Sequence, residues 1–205
     1  MAKQACVTIG NFDGVHLGHQ SLLNLAARIA AEKNLDFEIV TFWPHPREVL
    51  RGKASHQPLY GRMERLGLLK QAGAAAVREL PFTMELAACS APRFVAEFLL
   101  PLGLRELVIG HDFTLGRNRE GNASLLQEIG ARHGFGVTRA PAFEVDGAPV
   151  SSTRLRKCLA AGDVECAKRL LGRKYAIFGK IEHGDGRGAG LGFPTANLGG
   201  ISGLV

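Results

Sequence analysis

Over its first 157 residues the chain alternates short apolar, β-branched runs with longer stretches of helical periodicity, and few architectures accept that order. Residues 6–10, 37–42, 75–80, 104–110 and 136–145 read as strands, the last closed by the Asp146-Gly147 turn. Between them, residues 18–33 carry Leu22, Leu23, Leu25, Ala26 and Ile29 near a 3.6-residue spacing, and residues 60–72 read as a second helix. Ser90 is placed to cap a further helix with Pro92 in its first turn, and Asn122 to cap one that ends near His133. This order predicts an α/β fold: a doubly wound parallel sheet with helices on both faces. The polar and glycine-rich stretches fall directly behind strands, at residues 11–19, 44–48, 111–121 and 151–156. Open parallel sheets bind ligands at the carboxyl ends of their strands, so these four loops predict one site on one edge.

The 205 residues are 46% hydrophobic and 21% charged, which supplies a core and excludes disorder, collagen and coiled coil. No uncharged run approaches the ~20 apolar residues of a membrane span, and no signal-peptide core follows Met1. A cytoplasmic chain without a membrane partner is expected. Cys6, Cys89, Cys158 and Cys166 show no C-x-x-C spacing and are expected to be four isolated, reduced thiols. The 25 basic and 19 acidic residues leave a dispersed charge of +6, which suits phosphate-bearing small molecules as well as nucleic acid.

Two of the loops carry chemistry. The stretch Gly10-Asn11-Phe12-Asp13-Gly14-Val15-His16-Leu17-Gly18-His19 runs straight into the first helix, whose free N–H groups and positive dipole end attract an anion. Gly18 leaves room for phosphates near the backbone, and His16 and His19 flank them as donors to charge that grows in a transition state. The stretch Val150-Ser151-Ser152-Thr153-Arg154-Leu155-Arg156 places hydroxyls and N–H groups at another helix start, followed by guanidinium forks suited to phosphate oxygens.

The pairing of H-x-G-H with S-S-T-x-x-R resembles the nucleotidyltransferase superfamily. Its finer pattern is similar to the bacterial bifunctional riboflavin kinase/FMN adenylyltransferases, also called FAD synthetases. Five stretches carry the resemblance in order: V-T-I-G-N-F-D-G-V-H-L-G-H-Q, T-F-W-P-H-P-R-E, V-I-G-H-D-F-T-L-G, V-S-S-T-R-L-R and G-D-G-R-G-A-G-L-G-F-P-T-A-N-L. It implies a Rossmann-like FMN adenylyltransferase domain over residues 1–157, a helical linker over 158–172, and the N-terminal fragment of a riboflavin kinase β-barrel over 173–205. The implied reaction transfers AMP from MgATP to FMN, giving FAD and pyrophosphate, with Mg²⁺ as the metal and neither nucleic acid nor an obligate protein partner. By the resemblance, His16, His19 and Arg156 are catalytic, while Gly10, Phe12, Gly18, Ser152, Thr153 and Arg156 bind ATP. Asn11, Asp13, His45, Arg47, Asp112 and Phe113 are implied on the flavin side. Pro44-His45-Pro46-Arg47 is either a mobile loop over the site or a rigid turn.

Within G-F-P-T-A-N the resemblance implies that Thr195 and Asn197 hold Mg²⁺ and phosphates in a complete kinase. A strand at 175–181 and a glycine-dense loop at 183–197 cannot close a barrel, so kinase activity is not expected from this chain alone. Three positions depart from the family pattern: Trp43 stands where an acidic residue is usual, Tyr60 where a threonine is common, and Ala189-Gly190 in a stretch that is often more basic. Two other readings stay open: a nucleotidyltransferase with a different phosphate acceptor, and a non-catalytic nucleotide- or RNA-binding module.

Overall fold

The computed structural model describes residues 4–184, 187–193 and 195–202. Asp185, Gly186 and Pro194 of the fifth stretch lie outside the described residues. The chain runs β1 (Ala5–Ile9), α1 (Leu17–Glu32), β2 (Asp36–Trp43), α2 (Pro46–Arg51), α3 (Arg62–Lys70), β3 (Ala76–Pro81), α4 (Met84–Ala87) and α5 (Ala91–Phe94), then β4 (Leu104–Ile109), α6 (Ala123–His133) and β5 (Gly136–Arg139). These five strands form one sheet in the order β3-β2-β1-β4-β5, with every pairing parallel. The predicted α/β doubly wound sheet is therefore present.

Strand alternation explains the two layers of helices. Ala5, Val7 and Ile9 of β1 pack on one face with Phe94, Leu99, Leu126 and Ile129. Cys6 turns to the other face, where Leu22, Leu23, Ala26 and Ile29 of α1 and Leu69 of α3 cover it. All five residues of β1 are buried, as the centre of a sheet covered on both sides requires.

Beyond the sheet follow β6 (Glu144–Val145), β7 (Ala148–Pro149), α7 (Ser152–Ala160), α8 (Val164–Leu171), β8 (Phe178–Glu182), α9 (Arg187–Gly190) and β9 (Asn197–Ser202). The expected single strand over 136–145 is divided: β5 ends at Arg139, and β6 pairs antiparallel with β7 in a separate hairpin. Pro141, which has no N–H to give a ladder, lies in the gap. Asp146 and Gly147 turn that hairpin with φ of 54° and 70°, the pair of positive values a tight two-residue turn needs. Ser90 occupies the N-cap of α5 but makes no side-chain cap bond; Glu120 Oε1 accepts the Ala91 N–H at 2.8 Å instead. Asn122 does cap α6, accepting the Leu125 N–H at 3.0 Å.

The expectation of four reduced thiols is corrected. Cys158 of α7 and Cys166 of α8 form a disulfide, while Cys6 and Cys89 are free and buried. Spacing rules for short motifs miss this pair because the α7–α8 turn folds the second helix back on the first, bringing Cα atoms to 5.9 Å across eight residues. Leu155 of α7 and Ala167, Leu170 and Leu171 of α8 are buried with Leu59, Tyr60 and Val150 in a third apolar cluster. β8 and β9 form a two-stranded antiparallel ribbon, and every residue of β8 is exposed.

Candidate active site

A cavity of about 360 Å³ opens at the carboxyl edge of the sheet, walled by the loop after β1, residues 45–56, residues 110–113 and the start of α7. Gly10, Asn11, Phe12, Asp13, His16, Gly18, His19, His45, Arg47, Asp112, Phe113, Ser152, Thr153 and Arg156 all line it. The residues predicted from the loops behind the strands thus converge in one place, as the switch-point geometry of an open parallel sheet would have it. Thr195 and Asn197 are exposed and are not among its walls.

The two histidines of H-x-G-H act as one unit. His16 is the N-cap of α1, and its Nδ1 accepts the His19 N–H at 3.3 Å. That bond leaves Nε2–H as the donor of the neutral His16 ring. The two rings stack with centroids 3.7 Å apart and 15° between planes, and the edge of Phe12 meets His19 at 5.3 Å. Burial lowers the His16 pKa to about 4, with the Arg173 charge adding to the effect. His19 is held well below the ordinary range by burial and then by His16. Among the described residues its buried Nδ1 has no hydrogen-bond partner, which is unusual for a buried polar atom. Gly18 fits between: a Cβ there would sit 3.3 Å from the His16 ring and 3.3 Å from the Val150 carbonyl.

The second cradle is tied to the first. Ser151 caps α7 through the Arg154 N–H at 3.2 Å. Ser152 Oγ donates to the Asp13 carbonyl at 2.8 Å, and Arg156 pairs with the Asp13 carboxylate while its Nε donates to the Gln57 carbonyl at 3.0 Å. Asp13 Oδ1 also accepts the Leu59 N–H at 3.0 Å. Asp13 is 4% exposed. Burial raises its pKa, opposed chiefly by the Arg156 charge. Thr153 and Asp112 stand exposed on the rim.

The Pro44–Arg47 stretch is the start of a helix. His45 caps α2 by accepting the Arg47 N–H at 3.1 Å, and Arg47 is exposed at the cavity wall. The His45 ring stacks on His56 at 3.6 Å, a partner the sequence reading did not identify because no local motif surrounds it. His56 Nε2 lies 3.5 Å from Asp13 Oδ2. Burial lowers His45 to about 3 and His56 to about 4, with Arg156 and Arg47 pushing both the same way. Donor atoms of Asp13, His45 and His56 lie within 4.8 Å of one another, close enough for a metal ligand set. Arg156 cancels the Asp13 charge, and the Arg47 and Arg65 charges that also act on His45 leave that corner with a positive excess, which favours an anion over a cation.

Trp43 and Tyr60, expected to depart from the family pattern, both pack against an arginine. Trp43 lies beneath the Arg65 guanidinium at 5.5 Å, and Arg65 donates to the carbonyls of Asn11 and Phe42 at 2.9 and 2.8 Å. Tyr60 packs against Tyr175 at 5.5 Å and under Arg173 at 5.4 Å.

The profile of the FAD synthetase family matches residues 1–154, and that of riboflavin kinase matches residues 171–203. The chain is 36% identical over 198 residues to the bifunctional riboflavin kinase/FMN adenylyltransferase of Buchnera aphidicola, 37% identical to that of Escherichia coli K12, and 40% identical over 203 residues to that of Pseudomonas fluorescens. These alignments cover 95–96% of this chain and 63–64% of the relatives, so the chain spans just under two thirds of their length. A crystal structure described as a macrolide-efflux protein from Streptococcus pneumoniae superposes with a TM-score of 0.86 at 30% identity, over 96% of this chain and 64% of that one. Among the described residues no helix is long and apolar enough to cross a membrane. With a family profile matched across three quarters of its length and relatives this similar over nearly all of it, the chain belongs to the FAD synthetase family.

Proposed function

We propose that the chain is an ATP:FMN adenylyltransferase. The observation that carries this reading is the convergence of the stacked His16–His19 pair at the start of α1 with the start of α7 in one cavity at the sheet edge. A phosphate oxygen of FMN attacks the α-phosphorus of ATP in line; the new P–O bond gives FAD, and the broken bond between the α-phosphorus and its bridging oxygen releases pyrophosphate. The acceptor is already a nucleophile, so the protein's task is positioning and charge stabilisation. His16 Nε2–H and the His19 ring serve as donors to the α-phosphate as its negative charge grows. Burial keeps the two imidazoles neutral, and the negative charge of a bound triphosphate shifts them toward the charged form that binds it best. Thr153 and the N–H groups opening α7 face the leaving pyrophosphate, and Arg156 supplies positive charge beside it.

Asp112 and Phe113 on the rim, with Asn11, His45 and Arg47 opposite, bound the space for the flavin. Asp13 acts in this reading through Arg156 and Leu59. The cavity does not make a Mg²⁺ cage: its walls offer imidazoles, guanidinium groups, the Asp13 carboxylate already paired with Arg156, and a single further carboxylate, Asp112, on the exposed rim. Mg²⁺ therefore belongs to the substrate as MgATP, held by phosphate oxygens.

The reading is tested by incubating the chain with FMN, ATP and Mg²⁺ and following FAD by chromatography. FAD is expected from the parent, with a loss of about 10²–10³ in rate for each of His16→Ala and His19→Ala.

A further inference from the structure

The turn before His16 is held against its backbone preferences. Phe12 and Val15 adopt φ of 50° and 39°, and Gly14 adopts 85°. For a β-branched valine such a conformation is strained and persists only where its surroundings over-determine it. The surroundings that do so come from beyond α8. Arg173 Nη2 donates to the Gly14 carbonyl at 2.7 Å, and Nη1 donates to the Val15 carbonyl at 2.9 Å and reaches the Leu171 carbonyl at 3.3 Å. Gln20 of α1 doubles the grip, its Nε2 donating to Val15 at 2.9 Å and to Leu171 at 2.8 Å.

The segment that carries Arg173 is itself seated. Gly172, at φ 70°, lets the chain lie on α1, where a Cβ would come within 2.6 Å of Leu17 Cδ2. The Arg173 guanidinium covers the Tyr60 ring, and Tyr175 OH donates to the Leu59 carbonyl at 2.9 Å. Leu59 is the residue whose N–H the Asp13 carboxylate accepts. Residues 171–175 thus hold the Gly14–Val15 end of the turn directly and reach its Asp13 end through Leu59, and the next residue after the gripped Val15 is the N-cap His16.

We propose that residues 171–175 are a strap, and that Arg173 is a positioning residue for adenylyl transfer, holding the 12–15 turn so that His16 and His19 present their stacked rings at one fixed place. The strap falls within the stretch matched by riboflavin kinase, yet it serves the cavity of the other matched region. Arginine suits the task because its planar fork reaches two adjacent carbonyls at once, which a lysine ammonium cannot do with the same geometry. A misplacement of about 1 Å at a site of this kind costs on the order of 10²-fold in rate. The proposal rests on the adenylyltransferase reading for its catalytic consequence, and on the geometry alone for the grip.

The test compares the 205-residue parent with Arg173→Lys, Arg173→Gln and Arg173→Ala, and with Lys174→Ala as an exposed neighbour. The Arg173 variants are expected to lose about 10- to 100-fold in kcat for FAD formation with KM for FMN and ATP unchanged. Adding low-millimolar guanidinium ion is expected to restore part of the rate of Arg173→Ala, and Lys174→Ala to match the parent. Unchanged kcat in Arg173→Gln, or a rise in KM alone, overturns the proposal. Should Arg173→Ala not fold, Arg173→Lys and Gln20→Met carry the test, and full kcat in both overturns it. A readout independent of activity is the NMR titration of the His16 ring, which faces His19, Arg173, Arg156 and Asp112. Its midpoint is expected to rise toward the ordinary histidine range in Arg173→Gln. If the parent makes no FAD, the adenylyltransferase reading fails, and an unmoved His16 titration in Arg173→Gln then overturns the strap as well.

Discussion

Asp13 and Arg156 stand 143 residues apart in the chain and meet side chain to side chain, joining the loop after β1 to the second turn of α7. Their side chains are 5% and 18% exposed, so the pair is largely shielded from water. Removing one partner of a buried pair leaves the other charge uncompensated, at a cost of about 3–5 kcal/mol. Arg156→Ala is expected near the lower end, about 3 kcal/mol in urea denaturation, because Arg156 keeps some solvent contact. Asp13→Asn combined with Arg156→Ala is expected to recover part of that loss, since no buried charge is then orphaned. Additive losses in the double variant would contradict the pairing.

The histidines set a pH dependence of stability. His16, His45, His56 and His19 all have folded pKa values below the ordinary 6.5, because burial disfavours their charged forms. Below pH 6.5 the unfolded chain binds protons that the folded chain refuses, so stability is fully present above 6.5 and is lost as pH falls toward about 4. Melting curves are expected to shift down between pH 7.5 and pH 5, and the shift to shrink in His45→Gln. A flat profile over that interval would contradict neutral, buried imidazoles.

How much of this was legible beforehand follows from how local each signal is. The sheet could be read because the alternation of 4–8-residue apolar strands with amphipathic helices is written into contiguous sequence, and the loops behind β1 and before α7 announce themselves through glycine, histidine and hydroxyl residues at helix starts. His56 could not be read, because only the tertiary fold stacks it on His45. Arg173 was hidden for the same reason: its partners are carbonyls 158 and 159 residues away, and a backbone acceptor has no sequence signature. The disulfide and the break after β5 depended on the α7–α8 turn and on one proline within an otherwise strand-like run.

Gly18 separates two roles that a glycine at a helix start can have. As the second residue of α1 it has helical geometry, so alanine there gains up to about 1 kcal/mol in helix propensity. The same methyl would press on the His16 ring and the Val150 carbonyl at 3.3 Å. Gly18→Ala is expected to leave the melting temperature nearly unchanged while lowering kcat for FAD formation about tenfold or more. Full activity with unchanged stability would show that the His16 ring has room to give.

The ribbon of β8 and β9 leads to a second activity prediction. β8 is exposed along its length, and Thr195 and Asn197 are exposed and apart from the cavity. The 205-residue chain is expected to form no FMN from riboflavin and ATP, followed by chromatography under the conditions that yield FAD from FMN. FMN formation at a rate comparable to FAD formation would contradict this.

The central claim is that the stacked His16–His19 pair stabilises adenylyl transfer to FMN. It is tested most directly by measuring FAD and pyrophosphate together, from FMN and MgATP, in the parent and in His16→Ala/His19→Ala. The parent is expected to release one pyrophosphate per FAD, and the double variant to lose both products in parallel while keeping a folded circular dichroism spectrum. A folded double variant that makes FAD at the parental rate, or a parent that makes none, would contradict the account.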